Sequence, residues 1–216
     1  MSRERDDLIR TIWNDLYTQS SDLRTCEASI SKVFALLRNC FESGGSVFIC
    51  GNGGSASDAE HIAGELVKPC ALSRPVTDDF AAELRLRGDD GYLATHLARG
   101  LSITPLVSQA ALLTAIANDQ GGDLIFAQQV MAYVGPPDIL WALSTSGSSR
   151  NVVLAARTAR AKGAGVVSFT GPVSGPLGEL SDEVVATPGS DTPHIQHYHQ
   201  RVYHAVCLAL EAHFYA

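Results

Sequence analysis

Phe48-Ile49-Cys50-Gly51-Asn52-Gly53-Gly54-Ser55-Ala56-Ser57-Asp58-Ala59-Glu60-His61-Ile62-Ala63-Gly64-Glu65-Leu66 reads as a strand, a turn and a helix in immediate succession. The apolar lead-in from Val47 to Cys50 is a short buried strand. Glycines let the chain turn tightly at Gly51, Gly53 and Gly54 and bring its backbone close to a ligand. The helix that follows begins with free N–H groups and a partial positive charge, which suit an anion. It carries His61 and Glu65 at i and i+4, on one face. A glycine-rich turn can serve only to turn the chain, and a lone His–Glu pair is more often a surface contact. In succession, however, the two features join a way to hold an anion to a way to move a proton or grip a metal. The turn has neither the lysine and spacing of a Walker A loop nor the G-x-G-x-x-G pattern, which disfavours a nucleotide.

The pattern continues outward. Further short apolar strands are expected at Ile103–Val107, Asp138–Leu143, Val166–Thr170 and Glu183–Ala186. Between and after them, helical spacing covers residues up to Ala117, residues 123–134, about 148–162 and about 194–214. The expected fold class is α/β: a doubly wound, mostly parallel five-stranded sheet flanked by helices. In such folds ligands sit beyond the carboxyl ends of the strands, where the glycine turn lies. Residues 5–44 read as an N-terminal helical pair, from Leu8, Ile12 and Leu16 and then Ile30, Val33, Leu36 and Leu37. This gives helices at 1–45, read as packing or subunit contacts, and an α/β domain at 46–216. Residues 69–101 are polar, too long for a simple connection, and read as an insertion over the sheet edge or the site, with short helices at 80–86 and 92–97.

The 216 residues carry a net charge of −7 and 45 % apolar residues. The charge argues against nucleic-acid binding, which needs a basic footprint. No apolar run reaches the roughly 18 residues of a membrane span, and the charged N-terminus lacks a signal-peptide core; a cytoplasmic location is expected. Five scattered cysteines without a C-x-x-C pair read as small core residues in a reducing compartment.

Ser144-Thr145-Ser146-Gly147-Ser148-Ser149 repeats the strand-end, helix-start arrangement. It is either a serine cap with a flexible turn or a hydroxyl-and-amide cradle for a phosphate, and the cradle suits an acidic protein better. Asn118-Asp119 closes an apolar helix and alone reads as a stop. His194, His197, His199 and His204 crowd the start of the last helix; the first three are expected to be exposed and His204 partly buried.

Taken together, C-G-N-G-G-S at 50–55, D-A-E-H-I-A-G-E-L at 58–66, T-A-I-A-N-D at 114–119, S-T-S-G-S-S at 144–149, F-T-G at 169–171 and I-Q-x-x-H at 195–199 with His204 resemble the phosphoheptose isomerases of the sugar isomerase (SIS) domain family. The resemblance implies an enzyme interconverting sedoheptulose 7-phosphate and a heptose 7-phosphate through an enediol. It implies Glu65 and His204 as catalytic residues. It places Asn52, Gly53, Gly54, Ser55, Asn118, Asp119 and Gln196 at the substrate and Ser144, Thr145, Ser146 and Ser149 at the phosphate. It implies zinc on His61, Glu65, Gln196 and His204, and a homotetramer with sites at subunit interfaces. Gln196 and His204 are separated by about 12 Å along an ideal helix, which strains a shared ion. Two departures, the long 69–101 segment and Pro193-His194 ahead of Ile195, bear on the sugar contacts. A non-catalytic SIS binding protein, or an isomerase of another phosphosugar, is the alternative.

Overall fold

The computed structural model describes residues 2–216. The strands β1 (Val47–Cys50), β2 (Ile103–Pro105), β3 (Ile139–Leu143), β4 (Gly165–Thr170) and β5 (Glu183–Ala186) form one sheet in the order β2-β1-β3-β4-β5. Every pairing is parallel, as in Val47 with Ile103 and with Ile139. The α/β expectation holds. Its strand limits shift only at their ends: β2 runs to Pro105, on the edge of the sheet, with the Leu106 N–H still bonded to the Ile49 carbonyl oxygen at 2.8 Å.

Strand alternation sorts the core into two layers. Val47, Ile49, Trp141, Leu143, Val167 and Phe169 face α1 (Ser2–Gln19), α2 (Glu27–Glu42), α3 (Gly54–Val67) and the last helix. Phe48, Cys50, Leu140, Ala142 and Val166 face the opposite layer, which includes Val130, Val152, Ala156 and Leu177. Each fully buried large aliphatic side chain contributes about 1.5–3 kcal/mol. The 69–101 segment does form the short helices α4 (Asp78–Leu86) and α5 (Tyr92–His96). Then come α6 (Ala110–Asp119), α7 (Ala127–Tyr133), α8 (Arg150–Ala161), α9 (Gly175–Leu180) and α10 (Thr192–Tyr215). Asp191 starts α10, its carboxylate accepting the His194 N–H at 2.9 Å.

Four of the five cysteines are buried, as expected of core residues, and Cys70 is exposed. His199 is a correction. It was expected to be exposed, but it is fully buried against Phe169 with Nε2 3.0 Å from the Thr170 carbonyl oxygen. It shares a face of α10 with Ile195 and Val202, so helical periodicity carries it inward despite its polarity. Among the described residues no helix is long and apolar enough to cross a membrane.

Candidate active site

Helices α3 and α10 pack together and bring His61, Glu65 and His204 into one cluster. His204 Nδ1 lies 2.7 Å from Glu65 Oε1, and His61 Nε2 lies 3.3 Å from the same oxygen. The imidazoles of His61 and His204 meet edge to face at 4.9 Å, and the Tyr203 ring touches both. Glu65 is nearly closed off, with its side chain 11 % exposed, whereas the His204 side chain is 35 % exposed. With Nδ1 engaged by Glu65, His204 has Nε2 left for exchange with an outside group. His204 also borders a cavity of about 310 Å³ between α1 and α10, lined in part by Asp15, Gln19 and Arg201.

The three side chains offer donor atoms all within 4.8 Å of one another. Glu65 Oε2 is buried and has no hydrogen-bond partner. A carboxylate with one oxygen between two imidazoles and the other buried without a partner is a donor set that fits a divalent metal such as zinc. Gln196 is not brought to this cluster. Its amide lies over Gly54, where an added Cβ would come within 2.5 Å of Nε2. Gly54 opens α3 and Glu65 stands near its end.

The glycine turn takes its predicted place between β1 and α3. Gly53 adopts φ +56°, a conformation glycine takes without steric cost, and no side chain caps the helix start. Ser55 is buried, and Asn52 is exposed and exchanges two hydrogen bonds of 2.8 Å with Asn151. That amide pair ties the glycine turn to the start of α8, where the serine loop ends. In the loop, the Ser144 hydroxyl donates to Ser149 Oγ at 3.0 Å, and Ser146 Oγ accepts from the Ser148 N–H at 3.2 Å. Ser149 makes no side-chain cap to α8, so the serine-cap reading fails; the Val152 N–H is taken by Asn151 Oδ1 at 3.0 Å, which leaves those of Arg150 and Asn151 at the helix start. Thr145 takes part through its carbonyl, which accepts the Gly171 N–H at 3.0 Å. Asn118 donates to Asp119 at 2.8 Å. Just beyond them, Asp123 pairs with Arg150 at 2.6 Å, which holds the end of α6 near the start of α8.

Sequence reasoning missed Asp58, Tyr203 and Asn151. The Tyr203 hydroxyl donates to Asp58 Oδ1 at 3.3 Å, and burial raises the carboxyl pKa of Asp58. Asp58 lies one turn before His61 on the same helix face, and that spacing was a readable signal. Asn151 carried none, because only the folded chain brings it to Asn52.

The SIS domain family matches residues 16–99 and 90–171, well over half the chain. The chain belongs to the SIS domain family. Within this SIS family, the phosphoheptose isomerase of Burkholderia pseudomallei (strain 1710b) is 38 % identical over 184 residues, covering 85 % of this chain and 81 % of that protein. That of Helicobacter pylori (strain P12) is 36 % identical over 192 residues, covering 89 % and 88 %. The solved phosphoheptose isomerase GmhA from Neisseria gonorrhoeae superposes with a TM-score of 0.72 at 26 % identity, covering 98 % of this chain and 99 % of that one. A phosphoheptose isomerase from Francisella tularensis gives 0.71 at 26 % identity, covering 91 % and 95 %.

Proposed function

We propose that this SIS-domain chain is an aldose–ketose isomerase that converts sedoheptulose 7-phosphate to a heptose 7-phosphate through an enediol. The observation that carries the reading is the 2.7 Å contact between Glu65 and His204, contributed by helices far apart in sequence. Isomerisation needs a base for a carbon-bound proton and an acid for the neighbouring oxygen. Glu65 is the base. His204, held by Glu65 through Nδ1, exchanges a proton with the sugar oxygen through Nε2. The nearly closed surroundings of Glu65 exclude water from the transfer. The non-catalytic alternative is disfavoured because such a protein has no use for this pair.

The phosphate is assigned to the Arg150 and Asn151 N–H groups at the start of α8, with hydroxyls from Ser144, Ser146 and Ser149 and the Thr145 side chain. Asn52, Gly53, Gly54, Ser55 and Gln196 line the sugar, together with Asn118 and Asp119. Zinc is assigned to His61, Glu65 and His204; Gln196, the fourth ligand implied by the resemblance, is assigned to the substrate instead. When bound, zinc would polarise the sugar carbonyl and stabilise the enediolate. From Gly54 to Glu65 α3 rises about 16 Å, farther than a seven-carbon chain spans. We assign the acid–base pair of one copy to work with the anion turns of another, in a homotetramer with sites at subunit boundaries and with α1 and α2 as contact elements; the opposed positions of the glycine turn and Glu65 along α3 support this reading.

Turnover of sedoheptulose 7-phosphate followed by NMR, with zinc content measured on the same samples, tests the reading. Glu65→Gln and His204→Ala are each expected to lower kcat at least about 100-fold, the lower end of typical acid–base contributions, and to lower bound zinc. Activity near wild type in both variants would refute the assignment.

A further inference from the structure

The end of α3 has an unusual stop. The helix closes at Val67 with Lys68 extended and no glycine behind it. Carbonyls of a last helical turn lack intrahelical partners. Here the guanidinium of Arg74 supplies two of them: Nη2 donates to the Glu65 carbonyl oxygen at 2.9 Å and Nη1 to that of Leu66 at 2.8 Å. Its Nε donates to Glu211 Oε1 at 2.8 Å. Glu211 in turn accepts the Cys70 and Ala71 N–H groups at 2.9 and 2.8 Å. Arg74 is 1 % exposed and Glu211 0 %. Tyr215 packs its ring on the guanidinium, 4.8 Å from centroid to Cζ.

Glu211 lies on α10 about two turns beyond His204, on the same side of the helix. Near the end of α3, helices α3 and α10 are thus joined both by Glu65 with His204 and by the Arg74–Glu211 pair, in addition to the Tyr203–Asp58 bond further up the helix. The Arg74–Glu211 joint holds the backbone of Glu65 itself.

We infer that Arg74 and Glu211 are positioning residues for the isomerisation, their buried pair fixing the Glu65 end of α3 against the His204 face of α10. The inference rests on the acid–base reading of Glu65 and His204. Neither side chain touches substrate; both act by setting where the Glu65 carboxylate stands relative to the proton it takes. A planar fork is required, because the two carbonyls and the carboxylate are bonded by three different nitrogens, Nη2, Nη1 and Nε, a spread that the three donors of one ammonium nitrogen do not span.

The test compares wild type, Arg74→Lys and the doubly apolar Arg74→Met/Glu211→Leu with sedoheptulose 7-phosphate, unlabelled and deuterated at the transferred position. Removing one partner strands a buried charge, whereas replacing both with apolar groups of similar volume is often tolerated, so the double variant guards against simple unfolding. Both variants are expected to lose about 10–100-fold in kcat, as supporting residues around a reactive centre do. KM should stay within about threefold, and the isotope effect on kcat should rise as proton transfer becomes limiting. The inference is overturned by kcat within about threefold of wild type, by a loss confined to KM, or by a loss that only tracks the folded fraction seen by circular dichroism. An inactive wild-type protein would instead sink the isomerase reading, and this inference with it.

Discussion

His199 stands a little over one turn before His204 on α10, yet it points into the sheet. Burial pushes its pKa down to about 4, against the upward pull of its bond to the Thr170 carbonyl oxygen. The folded protein therefore keeps this ring neutral where the unfolded chain, with a value near 6.5, takes up a proton. The stability it secures is present in full above pH 6.5 and is lost as pH falls towards about 4, a change of about 3 kcal/mol. Urea unfolding at pH 7.5 and at pH 4.5 is expected to differ by that order, and His199→Leu is expected to flatten the difference. The Thr170 carbonyl retains the Thr187 hydroxyl as a partner at 3.0 Å, so the substitution does not orphan it. A rule that sends histidines outward cannot anticipate this residue, because the carbonyl that pays for its burial comes from a strand 29 positions earlier.

Among the elements, the serine loop depends on one glycine. Gly147 has φ +63°, and a Cβ there would run into the Ser174 backbone and the Val173 carbonyl. Gly147→Ala is expected to destabilise the fold by about 1–3 kcal/mol and to raise KM for the phosphorylated sugar, as read by thermal melting and steady-state kinetics. The strands were legible because buried parallel strands are written as short apolar runs, and Val47–Cys50 and Ile139–Leu143 are of that kind. The helices α3 and α10 were legible from their periodicity. The internal wiring of residues 69–101 was not. Arg74 looks like any surface arginine until Glu211, 137 positions away, is folded against it, and polar pairs of that span leave no periodic trace. The helix pairing that joins Glu65 to His204 was open to the sequence only through resemblance to a family.

For the whole molecule, the opposed ends of α3 set an expectation for assembly. If each site draws its acid–base pair and its phosphate turn from different copies, two inactive variants should complement each other. Glu65→Gln and Ser146→Ala/Ser149→Ala, refolded together, are expected to regain a fraction of wild-type turnover on the order of one quarter, from sites that receive an intact contribution from both copies. Mixing without recovery, in a preparation shown by sedimentation to contain hybrids, would place each site within one chain. The parallel sheet and its two core layers were evident from the sequence before any of this. The geometry of assembly was not, since a single chain does not encode in its periodicity which faces meet.

The distribution of thiols makes this molecule convenient to watch. Four are sealed in the interior, while Cys70 lies at the surface with its own N–H bonded to Glu211. Burial and nearby carboxylates raise the pKa of the Cys70 thiol, so conjugation there needs more alkaline conditions than a free thiol does. A single fluorophore or spin label attached there, with no engineered cysteine background, would report directly on loosening where the two helices are clamped.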